Sequence, residues 1–229
     1  MGSSPAFPIF LWIFKLNKKL NNLIKSSGNI IIISAPSGAG KSSICGAVVN
    51  SSQNMFYSVS YTTRPSRKGE KNGREYFFVN ETEFKKMIKE KKFTEWTRVH
   101  GHYYGTLKTL LHKVLKAGRN ILLEIDVKGA VSIKKQYPNA CMIFIMTPDL
   151  KTLENRLVAR NKDCREIINI RLKNAKKELK YIHKYEYLVI NKNLNSAIHA
   201  VEIIIQSLEY KIQIDKAYFT NGRISNGIN

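Results

Sequence analysis

The stretch that most restricts how this chain can fold is NIIIISAPSGAGKSS, residues 29–43. Its β-branched run, bounded by Gly28 and Pro36, suits a strand buried on both faces of a parallel sheet. The turn that follows, Ala35-Pro36-Ser37-Gly38-Ala39-Gly40-Lys41-Ser42-Ser43, matches the phosphate-binding pattern G-x-x-x-x-G-K-[ST], with Ala35 in place of the first glycine. Gly38 and Gly40 admit backbone conformations that turn successive N–H groups onto an anion, and the helix behind them aims its positive end at the same point. Lys41 is placed to neutralise β- and γ-phosphate charge, and the Ser42 hydroxyl to ligate Mg²⁺. A small residue before proline needs no positive φ, so Ala35 predicts little loss. A plain Gly/Ser turn with an exposed lysine is the alternative, and a strand before and a helix after argue against it.

The same strand type recurs at 120–125 (NILLEI), 141–146 (CMIFIM) and 187–190 (YLVI). Helix-period stretches lie between, at 107–117 and 150–159, and a last one at 195–217 carries an apolar stripe of Ile198, Val201, Ile204, Ile205, Leu208 and Ile212. This alternation predicts βαβ units and a parallel sheet. Residues 56–105 break the rhythm: they are rich in Tyr, Thr, Arg and Gly, with a turn signal at Lys71-Asn72-Gly73 and one helix at 81–91 opened by Asn80 and Glu83 as a capping box. They read as an inserted subdomain of short mixed strands. The length of 229 residues and 43% hydrophobic content support one sizeable domain with such an insert.

Charge and cysteines narrow the classes further. Lys+Arg 38 against Asp+Glu 17 fits polyanionic partners, but the lysines are spread through nearly every segment, as on a solvated surface. Cys45, Cys141 and Cys164 form no C-x-x-C pair, which argues against a disulfide framework or sulfur-rich zinc site and fits a reducing, cytoplasmic setting. Cys45 and Cys141 sit in apolar context, as small core residues do. Residues 7–14 (FPIFLWIF) have lysines after rather than before them and no small-residue cleavage site, so they do not read as a secretory signal. An extension packed on the domain is expected there, with a short membrane-surface anchor as the alternative.

Three further groups carry chemistry. Glu124 and Asp126 close the strand NILLEID, where alternation puts both on one face at the carboxyl end, the pattern of an acid that holds magnesium through water. Arg64 and Arg67, within SVSYTTRPSRKGE, sit near Ser, Thr and Tyr hydroxyls and make a second anion site with bidentate geometry; phosphate plus aromatics equally describes single-stranded nucleic acid. FTEW (93–96) and GHYYGT (101–106) add a carboxylate and hydroxyls. A carboxylate accepts both N1–H and the 2-amino group of a guanine edge, which adenine cannot offer.

APSGAGKSS, SVSYTTRPSRKGE followed by NGREYFF, FTEW, GHYYGT and LLEID occur in the order and spacing of guanylate kinases, and the chain resembles that family over about residues 28–212. The resemblance implies an α/β P-loop NTPase-type parallel sheet flanked by helices, an inserted mixed α/β GMP-binding subdomain and a helical lid. It implies a core of 28–55, 106–157 and 172–218, the insert at 56–105 and the lid at 158–171, leaving an extension at 1–27 and a tail at 219–229 without counterpart. The implied reaction is reversible transfer of the ATP γ-phosphoryl group to GMP or dGMP with Mg²⁺, in purine nucleotide metabolism. Carried over position by position, Arg64, Arg67, Tyr76 and Tyr104 hold the GMP phosphate; Ser60, Glu95 and Thr106 read guanine; Glu124 and Asp126 lie between the two nucleotides. Arg160 and Arg171 clamp the transferring group with Lys41, and Asn191 is on the adenine side. The chain departs from the family at Pro65-Ser66, where Thr-Pro is usual, and in the lid residues 161–165, which lack the usual glycine.

Two other classes remain: a guanylate-kinase-like interaction module that transfers nothing, and a nucleic-acid binder. The intact Lys41, Ser42 and arginine set argue for the enzyme, and no recognised reading motif supports specific nucleic-acid binding. Among enzymes, the alternative is a kinase for another small phosphate acceptor, against which Glu95 and Thr106 count. Membrane contact by residues 7–14 is not expected, and oligomeric state is not legible.

Overall fold

The computed structural model describes residues 28–99, 101–159 and 165–208. The extension at 1–27, Arg160, the lid residues 161–164 with Cys164, residues 209–217 of the last expected helix and the tail at 219–229 lie outside the described residues.

In chain order the strands are β1 (Ile30–Ser34), β2 (Met55–Tyr57), β3 (Tyr61–Thr62), β4 (Phe77–Phe78), β5 (Phe93–Val99), β6 (His102–Leu107), β7 (Asn120–Glu124), β8 (Cys141–Met146) and β9 (Tyr187–Ile190). The α-helices are α1 (Lys41–Ser51), α2 (Glu81–Lys89), α3 (Lys108–Lys116), α4 (Val127–Gln136), α5 (Leu150–Ala159), α6 (Arg165–Leu179) and α7 (Leu194–Ser207). A five-stranded sheet of order β2-β7-β1-β8-β9 is parallel at every pairing. β1 sits at its centre and is buried along its whole length, as the unbroken run of β-branched residues requires.

Alternation along the central strands feeds two hydrophobic layers. Ile31 and Ile33 pack with Leu122, Ile143 and Ile145 against Ile44 and Val48 of α1, Leu153 and Leu157 of α5, and Val201 and Ile205 of α7. Ile30 and Ile32 face the other way, with Ile121, Leu123 and Met142, onto Leu111 and Val114 of α3 and Ala130 and Ile133 of α4. Each such fully buried side chain contributes about 1.5–3 kcal/mol of hydrophobic free energy. Cys45 and Cys141 belong to the first layer. Among the described residues no helix is long and apolar enough to cross a membrane.

The second sheet has order β4-β3-β6-β5 and mixed pairing, parallel at β3/β4 and antiparallel at β3/β6 and β5/β6. Its helix α2 is capped as expected, Asn80 accepting from the Glu83 amide at 2.8 Å. It seats the fully buried Phe84 against Phe93, ring centroids 4.5 Å apart.

The structure corrects four boundaries. The helix expected to reach residue 91 stops at Lys89, because Lys91 takes a left-handed φ of 53° and turns the chain into β5. The strand read as 120–125 ends at Glu124. The last helix begins at Leu194, one residue before the expected start, and its expected residues 209–217 lie outside the described residues. Met55–Tyr57, the segment at which the insert was expected to begin, pairs with β7 as the edge of the five-stranded sheet; three residues are too short for their period to be read from sequence.

Candidate active site

The loop after β1 has the conformation its glycines require. Gly38 and Gly40 stand at φ 96° and 90°, and the loop's non-glycine residues, Ala35 included, stay at negative φ. Pro36 and Ala39 are buried, and the Ala39 amide donates to the Pro36 carbonyl at 3.1 Å, so the loop is pinned to the core from beneath. Ser37 points to solvent, and Gly40 caps α1, whose first turn is Lys41, Ser42 and Ser43. Asn191, placed just after β9, is 2% exposed and donates from Nδ2 to the Ala39 carbonyl at 2.8 Å. A Cβ at Gly40 would lie 2.4 Å from that nitrogen, so glycine is needed there for close approach as well as for φ. The expected adenine-side residue is thus brought against the phosphate loop itself, with its Oδ1 buried and unpartnered.

At the carboxyl end of β7, Glu124 accepts from Ser42 Oγ at 2.6 Å and from the Tyr57 hydroxyl at 2.9 Å, and Lys41 Nζ lies 4.0 Å from it. Burial works against the Lys41 ammonium, but the opposing charge of Glu124, with Tyr76, Cys45 and Glu178, holds its pKa above the ordinary value. Lys41 therefore stays cationic at neutral pH. Tyr57 was not singled out from sequence, and nothing in a three-residue strand would have marked it. Asp126 departs from the expected strand-end geometry. It is the N-cap of α4, with Oδ1 accepting from the amides of Lys128 at 2.8 Å and Gly129 at 3.3 Å. An Asp directly before a helix satisfies otherwise orphaned donors, and that preference outweighs one more residue of strand.

The arginine motif lines the same cleft as the helix end. Ser42, Tyr57, Glu124, Arg64, Arg67, Tyr76 and Tyr104 all border a cavity of about 610 Å³. The Arg64 guanidinium stands over the Tyr76 ring, 5.4 Å from its centroid, and Tyr76 meets Tyr104 edge-to-face at 5.8 Å. These cations, hydroxyls and the α1 N-terminus face one water-accessible volume, as an anion site requires.

Glu95 and Thr106 form a separate, buried pair at 4% and 0% exposure, and Ser60, just before β3, is buried at 8%. Thr106 Oγ1 donates to Glu95 Oε1 at 2.7 Å, while Glu95 Oε2 is buried without a hydrogen-bond partner. Burial, and to a smaller degree Asp126, raise the Glu95 carboxyl to about 7 against the pull of Thr106. Glycine at 129 makes room for it: a Cβ there would lie 2.7 Å from Glu95 Oε2. Such an orphaned acceptor waits for donors from a ligand.

Glu178, on α6, was missed from sequence. It is half-buried, its Oε2 has no partner, and burial, with a smaller push from Asp126, raises it to about 7 although Lys41 pulls the other way. A lone Glu in a lysine-rich helix carries no sequence signal. Arg171 lies about two turns earlier on the same helix, hence on the same face. A carboxyl whose folded pKa exceeds its unfolded value stabilises the fold below that unfolded value and loses the contribution as pH rises to about 7. Glu178→Gln is therefore expected to match the parent at pH 4 and to be more stable at pH 8, by at most about 3 kcal/mol. Thermal unfolding at the two pH values checks this, and an unchanged difference refutes it.

A parallel sheet with a glycine loop at the end of its central strand, a lysine at the start of the following helix and an acid on the neighbouring strand define the class: an α/β P-loop fold. The profile described as guanylate kinase matches residues 27–208. The chain belongs to the guanylate kinase family, and it is a kinase. The guanylate kinase of Caldanaerobacter subterraneus subsp. tengcongensis is 42% identical over 193 residues, covering 84% of this chain and 93% of the relative. That of Thermotoga maritima is 40% identical over 185 residues, covering 81% and 89%. The crystal structure of guanylate kinase from Anaplasma phagocytophilum superposes with a TM-score of 0.71 at 28% identity, covering 88% of this chain and 97% of that one.

Proposed function

We propose that this chain transfers the γ-phosphoryl group of ATP to GMP or dGMP, reversibly, giving ADP and GDP (or dGDP). The observation that carries this reading is the buried Glu95–Thr106 pair with an orphaned carboxylate oxygen, in the subdomain whose arginines line the cleft beside the phosphate loop. Ionised, Glu95 can accept guanine N1–H and the 2-amino group, with Ser60 and Thr106 beside it; adenine offers no such pair of donors. Arg64, Arg67, Tyr76 and Tyr104 then hold the acceptor phosphate. The phosphate loop from Ala35 to Ser43 takes the ATP phosphates, steadied by Asn191 beneath Ala39 and Gly40.

No side chain has to act as a covalent nucleophile. An acceptor phosphate oxygen attacks the γ-phosphorus in line, and the ADP oxygen leaves on the opposite side. Lys41, Arg160 and Arg171 stabilise the charge that spreads over the transferred group, and Glu124 and Asp126 lie between the two nucleotides. Magnesium fits the donors present, since Ser42 Oγ and the Glu124 carboxylate make an all-oxygen pair 2.6 Å apart at the helix start. Ser42 would hold it, with Asp126 through water, and bound there it supplies charge neutralisation on the phosphate oxygens. Among the described residues no three His, Cys, Asp or Glu side chains form a group that could hold a metal ion.

The test is ADP formation from Mg²⁺-ATP against GMP, dGMP, AMP, CMP and UMP. Transfer to GMP and dGMP alone is expected. Turnover with another acceptor refutes the base assignment, and ATP binding without transfer to any acceptor turns the reading to an interaction module.

A further inference from the structure

The acceptor arginine Arg64 is held in place by a carboxylate that plays no part in the site as described so far. Arg64 Nη2 donates to both oxygens of Glu70, at 2.8 and 3.0 Å, and Nη1 donates to the Pro65 carbonyl at 2.7 Å. Glu70 Oε2 also accepts from the Arg67 backbone amide at 2.7 Å, and the Glu70 amide returns a bond to the Arg67 carbonyl at 3.0 Å. Both side chains are largely buried, at 12% and 18% exposure, so this is not a solvated surface pair like Arg74–Glu75, where the arginine is 59% exposed. The rings of Tyr76 and Phe78 fix the plane of the guanidinium, at 5.4 and 5.7 Å. Glu70 thus grips the side chain of one cleft arginine and the backbone of the other.

We infer that Glu70 is a positioning residue of the acceptor-phosphate site, acting through Arg64 to hold its guanidinium oriented to the cleft before the phosphate arrives. This rests on the reading of Arg64 as a phosphate ligand. A long arginine side chain loses rotamer freedom when it binds, and a preformed ion pair removes that cost in advance. Glu70 also offsets the repulsion between neighbouring guanidinium groups in the empty cleft.

The test compares the parent, Glu70→Ala, Glu70→Gln, Arg64→Met and Arg64→Met/Glu70→Ala in the full chain, with KM for GMP, KM for ATP, kcat and melting temperature read for each. Glu70→Ala is expected to raise KM for GMP about 10- to 100-fold while kcat at saturating GMP and KM for ATP stay within about twofold. Glu70→Gln, which keeps shape without charge, falls between. The double variant stays within about threefold of Arg64→Met alone, because a residue that acts through another has no independent effect once that partner is gone. A lower KM for GMP in Glu70→Ala overturns the inference by showing that the carboxylate competes with the phosphate. Losses that multiply in the double variant, or ATP affinity falling equally, overturn it as well. If Arg64→Met alone leaves KM for GMP unchanged, the phosphate-site reading itself fails, a result separate from failure of Glu70.

Discussion

Lys41→Met is expected to keep the fold and to lower kcat by about 10²–10³-fold or more. Lys41 opens α1, its side chain is 23% exposed, and among the described residues its ion pair is with Glu124 at 4.0 Å. Methionine reproduces the unbranched aliphatic stem, and Glu124 keeps its hydrogen bonds from Ser42 and Tyr57, so no buried carboxylate is stranded. What disappears is a cation whose pKa is held up by its surroundings and which the proposed reaction sets against the developing phosphoryl charge. ADP formation with saturating ATP and GMP, alongside circular dichroism and melting temperature, separates the two effects. Parental turnover in a folded Lys41→Met sinks the phosphoryl-transfer reading.

Glu95→Gln is expected to raise KM for GMP about 100-fold or more and leave KM for ATP within about twofold. Glutamine keeps one acceptor but turns an N–H toward the guanine N–H groups, so the buried face meets donor with donor. The acid dependence has a definite sign. The Glu95 carboxyl titrates near 7, so as pH falls below that value the folded protein holds a protonated Glu95 and KM for GMP rises. In Glu95→Gln this dependence should vanish, while the variant melts no lower than the parent at pH 8, because a neutral amide is easier to bury than a carboxylate. Equal losses for GMP and ATP, or the same acid limb in both proteins, refute Glu95 as the base reader.

Much of the site was legible because each part is written in consecutive residues. The positive φ of Gly38 and Gly40 was readable since glycine alone tolerates it cheaply, and Ala35 behaves as a residue before proline should. Arg64 and Arg67 line the same cleft because only two residues separate them in the chain. Asp126 was read as a strand-end acid and is a helix cap; the same residue type serves both ends, and only the following amides decide. Tyr57 and Glu178 carried no signal, since neither belongs to a local pattern.

By itself the sequence determined the strand that feeds the phosphate loop, the loop's conformation, the parallel sheet and the arginine-bearing insert, all set by short-range sterics and hydrophobic period. Tertiary structure alone decided that Met55–Tyr57 closes the edge of the sheet, that Asn191 lies under Gly40, and that Glu95 and Glu178 each hold one buried, unpaired oxygen. Those properties are sums over segments far apart in the chain. Desolvation and close approach exist only once such segments are packed together, so no single stretch of residues encodes them.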